Sequence, residues 1–374
     1  MAGIYLHIPF CKQACHYCDF HFSTSLKNKE SLLGAMSKEI VLRKDYLKGA
    51  TIDTIYFGGG TPSLLSKEEL NSLLKLIHHS YVVAADAEIT LEANPDDLSK
   101  EKLQSYFDIG INRLSIGIQS FRDADLQWMN RAHTGSQAVD AVLNAKSVGF
   151  RNITIDLIYG LPGTTEHEWK NNLQVALTLD VPHISAYCLT VEPGTALGHW
   201  VKTKKVQAPE DALGAAQFET MTEALTKAGY VHYEISNFCK PGSYSRHNSS
   251  YWRDVPYLGI GPSAHSYDGT NRGWNVSNNV QYIRSLEEQK LPFEVEVLNA
   301  DQRYNDYILT SLRTIWGSSL EHLEKKFGHD YRLHAEQQAA AYLQDGYLQV
   351  NENTLFLTEK GKLLADKIAS DLFK

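Results

Sequence analysis

Six short apolar runs of β-like composition recur through the first half of the chain, at residues 4–10, 54–59, 88–94, 113–120, 152–160 and 183–189. Turn residues bound each run, and a stretch with helical spacing follows it. Ser66 with Glu69 forms a capping box ahead of Leu70, Leu73, Leu74 and Ile77, which share one helical face. Ser99 opens a second helix with Leu103 and Phe107 expected inward, and Gly110 is a natural stop. Thr165 with Glu168 repeats the capping box ahead of Trp169, Leu173 and Ala176. Strand alternating with helix predicts an α/β fold with a parallel sheet and helices outside it, as an open doubly wound sheet or a partial barrel.

The unusual residues select the barrel. Three cysteines follow the first strand, and Gly58-Gly59-Gly60-Thr61 ends the second. Glu92 ends the third strand, Gln119 ends the fourth, and Asp156 lies in the fifth. Ligand sites of parallel α/β folds gather at the carboxyl edge of the strands. Five successive strands delivering polar or glycine residues to that one edge predict a site there.

Beyond about residue 200 the pattern changes. An amphipathic helix is expected over 209–229 and a strand over 230–238; long ordered loops are expected over 239–276, then a helix capped by Ser277. From about residue 300 a small helical unit is expected, with helices near 301–316, 319–327 and 332–345, a hairpin around 351–353 and a last helix from Thr358. The expected division is a barrel core over 1–200, a sheet extension and loop-rich region over 201–298, and a winged-helix-like unit over 299–374. Winged helices often bind DNA, but this one carries nine basic residues against eleven acidic, which points to a lid or docking module.

Charge extends that exclusion to the whole chain. Its 374 residues carry 36 basic and 44 acidic side chains, a net of -8, which disfavours nucleic acid as a partner. The 43% apolar and 21% charged fractions are those of a globular protein, and no apolar window is long enough for a membrane span. No secretory signal is visible at residues 1–10, so a cytoplasmic location is expected.

Cysteine usage sharpens the picture. Of five cysteines, Cys11, Cys15 and Cys18 fall within eight residues, a spacing for metal or redox chemistry. Cys188 and Cys239 are isolated and expected to be small buried residues. Iron–sulfur cubanes are ordinarily held by four thiolates, so three leave one iron open to a small molecule. A structural zinc site is the alternative, with His7 or His16 completing the ligand set. Aromatic flanks at Phe10, Phe20 and Phe22 suit shielding of a cluster from water.

Cys11-Lys-Gln-Ala-Cys15-His-Tyr-Cys18 resembles the Cx3Cx2C signature of the radical S-adenosylmethionine (SAM) superfamily. The resemblance implies a partial (βα)6 barrel, a [4Fe-4S] cluster on the three cysteines, and SAM chelated at the open iron for cleavage to a 5'-deoxyadenosyl radical. Further stretches narrow the similarity to the oxygen-independent coproporphyrinogen III oxidase-like group: Tyr5-Leu-His-Ile-Pro-Phe-Cys11, Phe57-Gly-Gly-Gly-Thr-Pro62, Glu92-Ala-Asn-Pro95, Arg113-Leu-Ser-Ile-Gly-Ile-Gln-Ser-Phe121, Asn130-Arg131 and Asp156-Leu-Ile-Tyr-Gly-Leu-Pro162. By position, the group's SAM contacts fall on Tyr5, Tyr17, Gly59, Gly60, Thr61, Glu92, Gln119, Arg131 and Asp156. The group's contact near Thr190 is of a different residue type and is not carried over.

The chain departs from the true oxidase in three ways. Phe20 stands where the oxidase has a fourth cysteine, and Tyr5 falls almost at the first residue, where the oxidase has an N-terminal extension. The stretches His247-Asn-Ser-Ser-Tyr251-Trp252 and Leu258-Gly-Ile-Gly-Pro-Ser-Ala-His265-Ser-Tyr267 are similar to the HemW branch, understood as heme chaperones. The resemblance implies a heme carrier with cluster and SAM, a heme-accepting client protein and an electron donor for the cluster. The rival readings are coproporphyrinogen III oxidative decarboxylation and a purely structural zinc or iron–sulfur regulator. Heme iron takes axial His, Cys, Met or Tyr under aromatic cover, which makes loop residue His247, beside Tyr251 and Trp252, the expected axial ligand, ahead of His265 and Cys239.

Overall fold

The computed structural model describes residues 1–374. The six expected strands form as β1 (Ala2–Ile8), β2 (Ile52–Gly59), β3 (Val83–Ala93), β4 (Arg113–Gln119), β5 (Asn152–Tyr159) and β6 (His183–Cys188). They lie side by side in chain order and are all parallel. Between them run α1 (Lys29–Leu42), α2 (Lys67–Ser80), α3 (Lys100–Asp108), α4 (Asp123–Trp128), α5 (Gly135–Val148) and α6 (Glu166–Thr178).

Strict alternation in the strands gives the sheet two different faces. Ile55 and Phe57, Ile89 and Leu91, Leu114 and Ile116, Ile153 and Ile155, and Ile184 and Ala186 pack against the helices in one continuous apolar layer. Each large side chain of this layer contributes about 1.5–3 kcal/mol on burial. The intervening positions are Thr54 and Tyr56, Glu88, Thr90 and Glu92, Arg113 and Ser115, Thr154 and Asp156, and His183 and Ser185. They form the concave face. Most are buried as well, so their polar groups must be met from inside the fold.

Both expected capping boxes form, Ser66 with Glu69 on α2 and Thr165 with Glu168 on α6. Ser99 caps α3 through the Lys102 amide. Within α3 the core stripe is Leu103 with Tyr106; Phe107, expected inward, is 44% exposed.

The sheet stays open, because β1 and β6 are not hydrogen-bonded to each other. After α7 (Ala196–Lys202) and α8 (Asp211–Lys227) the chain extends it at both ends. β7 (Val231–Glu234) and β8 (Asn237–Cys239) form a hairpin, not the single strand expected over 230–238, and β8 pairs with β6. The region expected as loops holds α9 (Arg246–Trp252), β9 (Tyr257–Ile260), β10 (His265–Tyr267) and β11 (Arg272–Asn275). Elements of three to seven residues are too short to show a period, which is why they read as loop. β9 is parallel to β1, and β10, β11 and β12 (Phe293–Glu296) follow antiparallel. α10 (Asn279–Glu287) is capped by Asn278, one residue beyond the expected Ser277.

The C-terminal unit contains α11 (Ala300–Leu312), α12 (Leu320–Phe327), α13 (His329–Gln344), a hairpin of Leu348–Asn351 with Thr354–Leu357, α14 (Glu359–Lys362) and α15 (Ala365–Asp371). Glu352 and Asn353 turn the hairpin with positive φ of 45° and 58°, as a two-residue type I′ turn requires. Its own core includes Tyr304, Ile308, Leu323, Leu355 and Ile368. The unit covers the outer edge of β7: Ile235 N donates to Arg313 O (3.1 Å) and Ile315 N to Tyr233 O (3.0 Å). No helix is long and apolar enough to cross a membrane.

Candidate functional site

A cavity of about 410 Å³ opens at the carboxyl ends of the parallel strands. Eleven of the twelve residues expected around the cluster and SAM line it: Cys11, Cys15, Tyr17, Cys18, Gly59, Gly60, Thr61, Glu92, Gln119, Arg131 and Asp156. The twelfth, Tyr5, stands one layer behind the wall. Its hydroxyl meets His7 Nδ1 at 3.2 Å, and its ring lies against the Gly58 backbone and beside Tyr56.

The three thiols arrive on the loop after β1, which two neighbours hold. Thr61 Oγ1 donates to Cys11 Sγ (3.5 Å) and Arg131 Nη1 donates to Cys15 Sγ (3.4 Å). Arg131 is fixed in turn by the Asn94 side chain (2.7 Å) and the Gly117 carbonyl (2.8 Å), while its Nε is buried with no partner. Burial raises the Cys11 thiol and pushes Cys18 up to about 11.

The zinc alternative finds no fourth ligand here. His7 Nε2 is taken by the His21 carbonyl (2.8 Å) and His16 Nδ1 by the Trp128 carbonyl (2.8 Å), and neither residue lines the cavity. Three thiols on one loop, beside a buried guanidinium and glycine backbone that lines the cavity, fit a cluster with an open position better.

Why the glycines are needed is visible in their surroundings. A Cβ on Gly60 would lie 2.7 Å from Phe10 O and 2.9 Å from Ile8 O; Gly59 has φ +105°, and its Cβ would meet the His7 ring at 2.7 Å. The triplet thus lets β2 end flush against the cluster loop. Gln119 ends β4 with φ 68°, after a register irregularity between β4 and β5, and this strained turn puts it on the cavity wall.

Two carboxylates form the inner wall. Glu92 accepts from Tyr56 OH (2.8 Å) and from Gly59 N (3.2 Å). Burial pushes it up to about 7, opposed by these hydrogen bonds and reinforced by Asp156. Asp156 accepts from Ser115 Oγ (3.3 Å); burial raises it to about 6, against the pull of Arg113. Arg113 is 1% exposed, and its Nε and Nη1 have no hydrogen-bond partner.

His247 is not in a loop. It lies on α9, which packs against the concave face beneath the cavity. Glu88 accepts from the first amides of this helix, those of Arg246 (3.2 Å) and His247 (3.1 Å). The His247 ring is 2% exposed, stacked at 4.9 Å on Tyr56, with Nδ1 on Thr54 Oγ1 (2.8 Å) and Nε2 on Tyr251 OH (2.8 Å). Burial holds it neutral, down to about 3, so in this arrangement both nitrogens are engaged and neither faces a ligand.

Other expectations change too. Cys239 is buried in β8, but Cys188, also expected inside, is exposed at the end of β6 and lines the cavity. Phe10 is buried, whereas Phe20 stands 67% exposed at the rim and shields little. His265 is exposed beside Trp274. Tyr56 and Glu88 belong to no matched stretch of the sequence, and Arg113 and Ser115 fall inside the 113–121 stretch without being singled out as site residues; their signal is the period of two along β2, β3 and β4.

Residues 5–176 match the family model of the radical SAM superfamily, and residues 298–364 that of the HemN C-terminal domain. The chain is 36% identical to the heme chaperone HemW of Mycobacterium tuberculosis, over 99% of this chain and 94% of that one. It is 33% identical to the Bacillus subtilis heme chaperone HemW, covering 98% of each chain. The Escherichia coli heme chaperone HemW is 40% identical over 78% of this chain and 80% of its own. Among solved structures, coproporphyrinogen III oxidase (HemN) of Escherichia coli, a radical SAM enzyme, superposes with a TM-score of 0.87 at 25% identity, covering 100% of this chain and 90% of that one. A chain with this cysteine loop, this half-barrel and these full-length relatives belongs to the HemW family of the radical SAM superfamily.

Proposed function

We propose that the chain is a cytoplasmic heme chaperone that holds a [4Fe-4S] cluster on Cys11, Cys15 and Cys18, seats SAM beside it, and passes heme to an acceptor protein. The observation that carries this reading is the convergence of eleven expected residues on one cavity at the strand ends. When bound, the cluster supplies an electron to the sulfonium of SAM. The protein's own part is positioning. The carboxylates of Glu92 and Asp156 suit the ammonium and ribose hydroxyls, Gln119 and Arg131 offer donors to a carboxylate, and the backbone at Gly59, Gly60 and Thr61 receives the aminoacyl part.

Heme is cargo in this reading. His247 serves its iron only when a ring nitrogen is released, Nδ1 by α9 moving off Thr54, or Nε2 by the Tyr251 hydroxyl, one turn along the same helix, turning away. Ligation is then a gated event, whose apparent affinity is set by the fraction of molecules with a ring nitrogen free.

Likeness to the oxidase supports a second reading, decarboxylation of coproporphyrinogen III. Against it, Phe20 occupies the place of that enzyme's fourth cysteine. Anaerobic heme titration of the reconstituted chain, run beside a coproporphyrinogen III turnover assay, separates the two. Saturable one-to-one heme binding without decarboxylation is expected; turnover without tight heme binding would establish the oxidase instead.

A further inference from the structure

The loop bearing the cysteines is braced from outside by α7. Leu197 N donates to His16 O at 2.8 Å, and the Trp200 ring meets the His16 ring edge-on at 4.5 Å, next in sequence to Cys15. α7 closes with Lys205 N donating to Trp200 O (2.8 Å) and Lys204 N to Val201 O (3.0 Å), a Schellman ending. Lys204 takes the left-handed position with φ 57°, where glycine is the unstrained choice. Lys205 lies over the Trp200 ring at 4.9 Å.

Lys202, Lys204 and Lys205 are all exposed, as is His199, and none of the three lysines has a carboxylate partner. Of the other cations at the cluster loop, Lys12 is committed to Asp96 at 2.6 Å and Arg131 is turned inward onto Cys15, Asn94 and Gly117. The nearest acidic residues in sequence, Glu210 and Asp211, begin the next helix and make no ion pair with the tip. On a chain of net charge -8, this is a free positive tip two ring contacts from the cysteine loop. Basic side chains at a helix end also complement its dipole, a role His199 and Lys202 can fill from the last turn, but Lys204 and Lys205 lie past it.

We infer that the α7 tip, Lys202 to Lys205, is the docking surface for an acidic one-electron donor protein that reduces the cluster. This rests on the cluster reading above. One electron leaves the donor and one enters the cluster, with no bond made or broken. Charge complementarity at such a tip sets encounter rate and orientation more than final affinity.

The test uses the full, reconstituted chain and photoreduced flavodoxin, a small acidic flavoprotein, as the probe. Wild-type reduction should slow about tenfold as salt rises from about 50 to about 500 mM. The triple variant Lys202→Glu, Lys204→Glu, Lys205→Glu should lose about tenfold or more of that rate at low salt. Its iron content and its reduction by dithionite should match wild type. An unchanged flavodoxin rate overturns the inference, as does a parallel loss with dithionite. Loss of heme binding with normal reduction overturns it too, assigning the tip to the cargo. Oxidised flavodoxin titrated calorimetrically tests the surface without the cluster: salt-sensitive binding to wild type alone supports the docking site, and equal or absent binding to both proteins refutes it. Iron-free wild-type protein after reconstitution would instead count against the cluster reading, leaving the calorimetry to decide the surface.

Discussion

Arg131 holds its Nη1 3.4 Å from the sulfur of Cys15 while its Nη2 is pinned to Asn94 and Gly117. A buried cation so placed opposes negative charge gathering on the cysteine loop. Replacing Arg131 by Met should therefore move the cluster's reduction potential to more negative values, because the added electron loses its nearest compensating charge. An EPR-monitored redox titration checks this; an unmoved potential would leave Arg131 a brace alone.

If Glu92 and Asp156, raised to about 7 and about 6, hold SAM as proposed, its binding should depend on pH. A cationic ligand prefers the ionised carboxylates, so affinity should rise as pH climbs from about 5.5 to about 8, by up to about tenfold per unit per coupled group. Glu92→Gln should weaken binding and flatten the upper part of the curve. Equilibrium dialysis across that range measures both.

Under the proposed role of His247, release of its Nε2 can be favoured without altering the imidazole. Tyr251→Phe removes the hydroxyl that engages Nε2, a bond of about 0.5–1.5 kcal/mol, and should tighten heme binding by roughly two- to tenfold. His247→Ala should weaken it and alter the Soret band. If neither variant changes the titration, the iron finds its ligand elsewhere.

Two glycines should respond in opposite directions. Gly60→Ala drives a methyl into the carbonyls of Phe10 and Ile8 and should lower stability by about 1–3 kcal/mol, with iron content falling alongside. Gly34 is exposed within α1, and a methyl added there would have nothing within 4 Å, so Gly34→Ala should gain about 0.5–1 kcal/mol. Thermal unfolding of the two proteins gives the comparison.

Much of this molecule was legible in its residues because the signals were local. The strands, both capping boxes and the terminal hairpin follow from short-range spacing, and the cysteine loop from three letters in eight. What stayed hidden depends on distance along the chain. α9 is one helix of seven residues, and its histidine is held by Thr54, 193 residues away, and Glu88, 159 away. Cys188 looked like an inner residue because a lone cysteine usually is; only the end of β6 at the cavity exposes it. The polar face of the sheet was present as Thr54-Ile55-Tyr56-Phe57 and Glu88-Ile89-Thr90-Leu91-Glu92, but alternation alone says strand and does not say that both faces are buried.

That distance also governs how the chain is made. Glu39 on α1 is fully buried, and beyond Arg43 its partners are Gly261 N (2.9 Å), Asn275 Nδ2 (2.8 Å) and Tyr282 OH (2.5 Å). Thr54 and Glu88 wait likewise for α9. During synthesis the first 200 residues emerge without these distant partners, and contacts of such separation form slowly. The concave side of the half-barrel is therefore sealed from below only once residues near 250 have left the ribosome, and a fragment ending at residue 200 would expose a polar interior that the complete chain never shows to water.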